Sequence, residues 1–168
     1  MFVRAVTQPV VARRVLLRSL ATNGPAPQPE ITMEAVKDAY RRINGTVSRS
    51  PLDKSARLSR MTETSLFLKK EHVSLTGSYK ERGALNKLLQ LSPEEKSRGV
   101  ICSSAGNHAQ AVSYHSTRLG IDGLIVMPEL APYVKVKNTR DFGAKVVLAG
   151  GSFQEAYQHA LELSKKVR

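Results

Sequence analysis

Apolar residues recur along this chain in two alternating patterns, one typical of buried strands and the other typical of helices. Three short runs are largely apolar, without the polar alternation of a half-buried strand, and they lie at 100–103, 123–127 and 145–148. Helical spacing appears between them, and the predicted helices run over 79–91, 107–119, 133–142 and 153–163. This alternation predicts an α/β fold with a parallel sheet covered by helices on both faces.

The N-terminal part of the pattern is less regular. A helix is predicted from about Ile31, capped by Thr32 and ended by Asn44-Gly45. A strand is predicted over 65–69. The segment Ser92–Glu95 has the form of a capping box with proline at the first helical position, so a short helix should begin there.

Composition narrows the class of protein. The chain has 168 residues, of which 41% are hydrophobic and 24% charged, as in ordinary globular domains. No apolar run approaches the roughly 20 residues that a membrane-spanning helix needs, so no membrane association is predicted. Cys102 is the single cysteine, which excludes an intramolecular disulfide and a cysteine metal cluster. No metal site is predicted.

The formal net charge of +12 is unevenly distributed. Nucleic-acid binding is one interpretation of such a charge. The distribution disfavours it, because the first acidic residue is Glu30 and the basic residues beyond it are interspersed with acids. Residues 1–24, with arginines and aliphatic residues but no acid, are instead predicted to be a mitochondrial presequence that directs the protein to the matrix. A disordered basic tail is the alternative.

This segmentation gives three parts. Residues 1–24 form the predicted presequence, and the proline-rich residues 25–30 form a stiff linker. Residues 31–168 form the folded domain, which we expect to carry the chemistry.

Two loop-to-helix junctions stand out within that domain. They are Thr76–Ala84 and Ser103–Gln110, each with small residues just before a predicted helix. Unpaired N–H groups at a helix start, at the positive end of the helix dipole, are suited to holding anions. If the strand–helix alternation is right, both junctions lie beyond the carboxyl ends of strands, where open α/β sheets bind ligands.

Each junction offers one reactive or recognition group. Lys80 lies at a helix start, where the dipole and burial favour the neutral amine that Schiff-base chemistry requires. Asn107 offers an amide donor, and the N–H groups around Ser104, Ala105 and Gly106 could hold a carboxylate. From position alone, a solvated surface lysine at Lys80 and an ordinary helix cap at Asn107 are the more common interpretations.

Other candidates carry weaker signals. His72, His115 and His159 are scattered without ligand spacing, so solvated or half-buried histidines are expected. Gly150–Ser152 resembles a phosphate turn but is also the usual form of a plain loop and cap. Cys102 lies mid-strand and is expected to be a core residue.

Taken together, the two junctions resemble the fold-type-II pyridoxal-phosphate enzymes, whose fold is that of tryptophan synthase β. The match is to the threonine/serine dehydratase and serine racemase branch. Three blocks carry it: Ser50-Pro51-Leu52, Thr76-Gly77-Ser78-Tyr79-Lys80 through Gly83-Ala84, and Ser104-Ala105-Gly106-Asn107-His108-Ala109-Gln110. The likeness extends over Ile31 to Lys166. Tyr79 stands where the family usually has phenylalanine.

The resemblance implies a role for each matching residue. Lys80 would bind pyridoxal 5'-phosphate covalently and then remove the α-proton of the amino-acid substrate. Asn107 would hydrogen-bond the 3-oxygen of the cofactor, and Ser104, Ala105, Asn107 and His108 would hold the substrate carboxylate. The implied reaction converts L-threonine to 2-oxobutyrate and ammonia, or L-serine to pyruvate, within amino-acid metabolism such as isoleucine biosynthesis.

Two details qualify this expectation. The racemase branch has a serine as second base two residues before the asparagine, where this chain has Ala105, so a dehydratase is favoured over a serine racemase. Members of the family are also about twice as long, and full-length members are expected to be homo-oligomers. The chain is therefore predicted to be the N-terminal part of a threonine dehydratase, with weak or no activity alone. An inactive partner of a full-length dehydratase is the alternative.

Overall fold

The computed structural model describes residues 31–166 and the backbone of a short strand, β1, at Val3–Ala5. The predicted presequence and linker otherwise lie outside the described residues. The remaining strands are β2 (Leu52–Lys54), β3 (Phe67–Lys69), β4 (Val100–Ser103), β5 (Gly123–Met127) and β6 (Lys145–Leu148). The α-helices are α1 (Met33–Ile43), α2 (Ala56–Met61), α3 (Lys80–Leu89), α4 (Pro93–Arg98), α5 (Asn107–Arg118), α6 (Tyr133–Asp141) and α7 (Phe153–Lys166). A 3₁₀ helix spans Glu71–Val73.

The main sheet has the order β1-β4-β5-β6. Strands β4, β5 and β6 are parallel, as predicted from their apolar runs. Strand β1 pairs antiparallel with β4, with Val3 opposite Cys102. A parallel sheet is therefore confirmed, and one antiparallel strand that the sequence pattern does not predict adds to its edge.

The predicted strand at 65–69 does not join this sheet. It forms β3, which pairs antiparallel with β2 in a separate two-stranded sheet, with Leu52 opposite Lys69 and Lys54 opposite Phe67. Every residue of β2 and β3 is exposed, which differs from the largely buried strands β4 and β5 of the main sheet. The first junction thus follows a small antiparallel sheet and a 3₁₀ helix rather than a strand of the parallel sheet, so its predicted position was wrong.

Helices cover both faces of the parallel sheet, which confirms the predicted layers. Alternate strand residues point to opposite sides: Ile125 and Met127 pack with the core that α3 and α5 contribute, while Val126 packs with Ala156 and Ala160 of α7. The first of these cores is the larger. The α3–α5 contact belongs to it, so the two helices that begin at the junctions are packed directly on each other.

Helix ends follow the predicted chemistry. At α4, the Ser92 hydroxyl accepts from the Glu95 N–H at 3.2 Å and the Glu95 carboxylate accepts from the Ser92 N–H at 2.8 Å. Thr32 caps α1 by accepting from the Ala35 N–H. The predicted capping box and cap are confirmed. Among the described residues, no helix is long and apolar enough to cross a membrane.

Candidate active site

The structure brings the two junctions together. Lys80 is the first residue of α3 and Asn107 is the first residue of α5. The pKa of His108 is lowered, chiefly by burial and next by the charge of Lys80. Since charges act strongly only at short range in a protein, the lysine of one junction lies within electrostatic reach of the histidine of the other.

Lys80 follows a tight turn. Gly77 has a φ of +72°, a conformation that glycine adopts without strain. The Lys80 N–H donates to the Ser78 hydroxyl at 3.3 Å, and α3 begins without a side-chain cap from Tyr79. The Lys80 Nζ atom lies 5.1 Å from the centroid of the Tyr79 ring, and both side chains are at least partly accessible to solvent. The amine is therefore reachable by a small molecule.

The turn between β4 and α5 has the features of an anion site. Gly106 is the N-cap and supplies no side chain, and the first helical bond is donated by the Gln110 N–H to the Gly106 carbonyl. The N–H groups of the first turn are accordingly free of intrahelical partners. Asn107 is exposed and stands inside the helix rather than at its cap. The alternative of Asn107 as an ordinary cap is therefore wrong.

Two buried polar atoms beside this turn lack partners among the described residues. They are the Ser103 Oγ atom and the His108 Nε2 atom. Buried polar groups in proteins are nearly always paired, so two such atoms at the end of a strand and the start of a helix indicate a ligand position. An anion with oxygen atoms fits this turn, because the hydroxyl and the backbone N–H groups of the first turn can donate to oxygen.

The predicted carboxylate-binding residues do not all have free donors. The Ser104 N–H donates to the Val126 carbonyl at 3.1 Å within the sheet edge. Its hydroxyl lies 3.4 Å from the Gly106 N–H, a long contact. Any contribution of Ser104 would therefore come from its hydroxyl, whereas Ala105 can offer only backbone groups.

A charged network that sequence reasoning missed fixes the segment before Lys80. The Glu71 carboxylate accepts from Arg82 Nε at 3.1 Å, from a second Arg82 nitrogen at 3.2 Å and from the Ser50 hydroxyl at 2.6 Å. Hydrogen bonding from Arg82 is the main reason that the pKa of Glu71 is lowered. The network ties Ser50 of the first matching block to α3. Eleven residues separate Glu71 from Arg82 across an irregular loop, so no periodic signal joins them.

The weaker candidates have structural roles. At the glycine turn, the Glu155 carboxylate accepts from the Gly151 N–H at 2.9 Å and from the Ser152 hydroxyl at 3.1 Å. The plain loop and cap are thus confirmed there, with Ser152 also accepting from the Glu155 N–H. Cys102 is a buried core residue, and burial raises its pKa to about 12. Within the described part of the chain, no cluster of His, Cys, Asp and Glu could hold a metal ion.

Two of the scattered histidines are accessible, as expected. His72 is exposed, and His159 lies 4.0 Å from the exposed carboxylate of Glu162. His115 differs from the expectation, since it is fully buried within α5. Its helix turns it toward α3, which sequence spacing alone does not reveal.

Comparison with known proteins gives one family. Residues 43–168 match the family described as "Pyridoxal-phosphate dependent enzyme". The chain is 46% identical over 136 residues to the L-threonine ammonia-lyase of Thermotoga maritima, covering 81% of this chain and 34% of that protein.

Two solved structures are similar to the described fold. Maize serine racemase aligns with a TM-score of 0.76 and 31% identity, over 80% of this chain and 41% of that one. The processed form of threonine deaminase isoform 2 from Solanum lycopersicum aligns with a TM-score of 0.71 and 33% identity, over 95% of this chain and 49% of that one. The chain thus spans between a third and a half of the length of these proteins.

Proposed function

The chain belongs to the family of pyridoxal-phosphate-dependent enzymes, and from this membership we propose that its site serves the deamination of L-threonine to 2-oxobutyrate and ammonia. L-Serine is the proposed second substrate, giving pyruvate. The observation that carries the proposal is the packing of α3 directly on α5, the two helices that begin with Lys80 and Asn107. A threonine ammonia-lyase and a threonine deaminase are among the similar proteins.

The described residues fit the cofactor. Lys80 would hold it through the ε-amine, and Asn107, exposed at the start of α5, would donate its amide N–H to a cofactor oxygen. The bound cofactor supplies an electron sink for the charge left when the α-proton is removed. Lys80 Nζ would take that proton, since a neutral amine is a competent base. The free N–H groups of the first turn of α5 would orient the substrate carboxylate.

A second candidate function is serine racemisation. It is favoured by the likeness to maize serine racemase. Racemisation needs a base on each face of the substrate α-carbon, and the position before Gly106 is Ala105, whose methyl group cannot move a proton. Dehydration needs one base and a leaving hydroxyl, so it is the better match to the residues present.

The length of the chain bears on activity. Only 34% of the length of the Thermotoga maritima protein is covered. We therefore propose that the 168 residues alone have weak or no activity, and that they contribute the lysine-bearing part of a site. A non-catalytic partner of a full-length dehydratase is the competing proposal, supported by the position of β6 at the edge of the sheet, where its outer side can pair with another strand. Matrix localisation and homo-oligomeric assembly remain proposals.

Covalent capture of the cofactor tests the site directly. The purified chain is mixed with pyridoxal phosphate, reduced with borohydride and digested, and the labelled lysines are identified by mass spectrometry. We expect the label on Lys80, its loss in Lys80→Ala, and no change in the control Lys87→Ala, an exposed lysine of the same helix. Label spread evenly over surface lysines, unchanged by Lys80→Ala, would overturn the proposal.

Substrate assays separate the candidate functions. The purified chain, mixed with pyridoxal phosphate and not reduced, is incubated with L-threonine and L-serine, alone and with a purified full-length dehydratase, and 2-oxo acid and D-serine are quantified. Formation of 2-oxo acid that requires Lys80 supports dehydration, whereas D-serine without 2-oxo acid supports racemisation. A change only in the activity of the added enzyme, together with co-purification, supports the partner role.

A further inference from the structure

Glu81 is a buried carboxylate beside the proposed cofactor lysine. It is the second residue of α3 and only 4% exposed. Its Oε2 atom accepts from the Thr76 N–H and from the Thr76 hydroxyl, both at 3.1 Å. Because α3 has no side-chain cap from Tyr79, this carboxylate, together with the bond from the Lys80 N–H to the Ser78 hydroxyl, joins the turn before Lys80 to the first turn of the helix.

The His115 ring lies against the other carboxylate oxygen of Glu81. The His115 ring is fully buried in α5, and its Nε2 atom lies 3.9 Å from the Glu81 Oε1 atom. This distance is too long for a hydrogen bond, and both ring nitrogens lack hydrogen-bond partners among the described residues. His115 therefore acts on Glu81 by filling the space beside it and by excluding water, which strengthens the bonds from Thr76.

The contact also sets the register of the two helices. His108 and His115 are seven residues apart, two turns along one face of α5. Lys80 acts electrostatically on His108, and its neighbour Glu81 lies against His115. The start of α3 therefore packs on α5 with Glu81 against His115.

We infer that Glu81 and His115 form a buried clamp that positions Lys80, by locking the Thr76–Ser78 turn to α3 and α3 to α5. Both are positioning residues, since neither is placed against substrate or cofactor. The inference rests on the proposed role of Lys80 only for its functional consequence, and the clamp itself can be measured without cofactor.

Hydrogen–deuterium exchange of the full chain measures the clamp. The variants are Glu81→Leu, which removes the acceptor, Glu81→Gln, which keeps an acceptor without the charge, and His115→Ala. Glu162→Gln is the matched control, because it alters a carboxylate beside a histidine on the exposed face of α7. Peptides spanning 74–80 are compared with peptides from α7.

We expect exchange in 74–80 to rise at least about tenfold in Glu81→Leu, because both hydrogen bonds from Thr76 are lost. Glu81→Gln and His115→Ala should give smaller increases, and Glu162→Gln none. The rate of borohydride-trapped labelling at Lys80 should fall in the same order at saturating reagent. Glu81→Gln also keeps the test valid if Glu81→Leu fails to fold.

Each outcome supports or overturns either the clamp or the proposed role of Lys80. An equal rise in exchange across 74–80 and α7 shows global destabilisation rather than positioning and overturns the clamp, as does unchanged exchange in every variant. A local rise in exchange without any Lys80 label in the unsubstituted chain supports the clamp and counts against the proposed function. A local rise with unchanged labelling rates shows that the clamp does not position Lys80.

Discussion

Ser113 offers a direct measure of how firmly α5 is held in place. It is fully buried, its hydroxyl donates to the Thr139 carbonyl at 2.7 Å, and it accepts from the Ala144 N–H at 3.0 Å. The Thr139 carbonyl lies in the last turn of α6, where carbonyls lack partners within the helix. One hydroxyl thus connects α5 to the end of α6 and to the start of β6.

Ser113→Ala should lower the free energy of unfolding by about 3 kcal/mol. Two buried backbone groups lose their partner at about 2 kcal/mol each, and about 1 kcal/mol is regained because a hydroxyl no longer has to be buried. Hydrophobic burial of the alanine methyl group is too small to reverse the sign.

Urea denaturation followed by circular dichroism measures this change, as a shift in midpoint at constant m-value. The control is Ser97→Ala, an exposed serine that donates to a carbonyl of its own helix, for which a change within about 0.5 kcal/mol is expected. A loss below about 1 kcal/mol in Ser113→Ala would refute the reasoning, because it would mean that water or another group satisfies both backbone atoms.

Three further predictions follow from single positions. Gly143 has a φ of +101°, and an added Cβ would lie 2.6 Å from the Thr117 hydroxyl oxygen. Gly143→Ala should therefore lower the free energy of unfolding, measured in urea, by at least about 1 kcal/mol. Adding Thr117→Ala should recover the part of this loss that comes from the steric clash and leave the part that comes from the backbone conformation. Burial lowers the pKa of His115 against the opposing effect of Glu81, so the folded state resists its protonation. The contribution of neutral His115 to the free energy of unfolding should therefore be fully present above about pH 6.5 and decrease as the pH falls toward the pKa of the folded state. In urea midpoints taken between pH 7.5 and 5, His115→Ala should make this decrease smaller. The Cys102 thiol, with a pKa of about 12 and fully enclosed, should resist a thiol reagent at pH 8 in native protein and react at once in urea.

The parts of the fold that could be predicted from sequence are those with a local cause. Apolar runs mark strands β4 and β5, because a strand buried on both faces has few polar residues. The Ser92–Glu95 capping box marks the start of α4 because its bonds join residues three apart. Such signals come from residues that are close together in the sequence, so they are present whatever the tertiary structure is.

The missed elements depend on distant partners. β2 is three exposed residues whose extended backbone is held only by pairing with β3. β1 likewise exists as a strand because β4 offers it an edge. β2 has no hydrophobic period of its own, since it does not bury one face on the core, so a reading based on periodicity could not find it.

The candidate site divides in the same way. Lys80 and Asn107 could be singled out because each begins a helix after a turn of small residues, a local pattern with a chemical consequence. Glu71 and Glu81 could not, because a carboxylate in a sequence gives no sign of which distant hydroxyl or N–H group it will meet. The residues proposed to carry the chemistry could thus be found in the sequence, and the residues that hold them in place could not.

One signal of the clamp was nevertheless present in the sequence. A spacing of seven places His108 and His115 on one face of α5, and a helix face that carries two histidines must meet either solvent or a polar partner. In the structure α5 packs on α3, which excludes solvent from His115, and its nearest carboxylate, at 3.9 Å, belongs to Glu81 of that neighbouring helix. The spacing of seven therefore predicts that the two histidines share a face of α5, while the identity of Glu81 as the neighbour of His115 depends on the packing of two helices and comes from the structure alone.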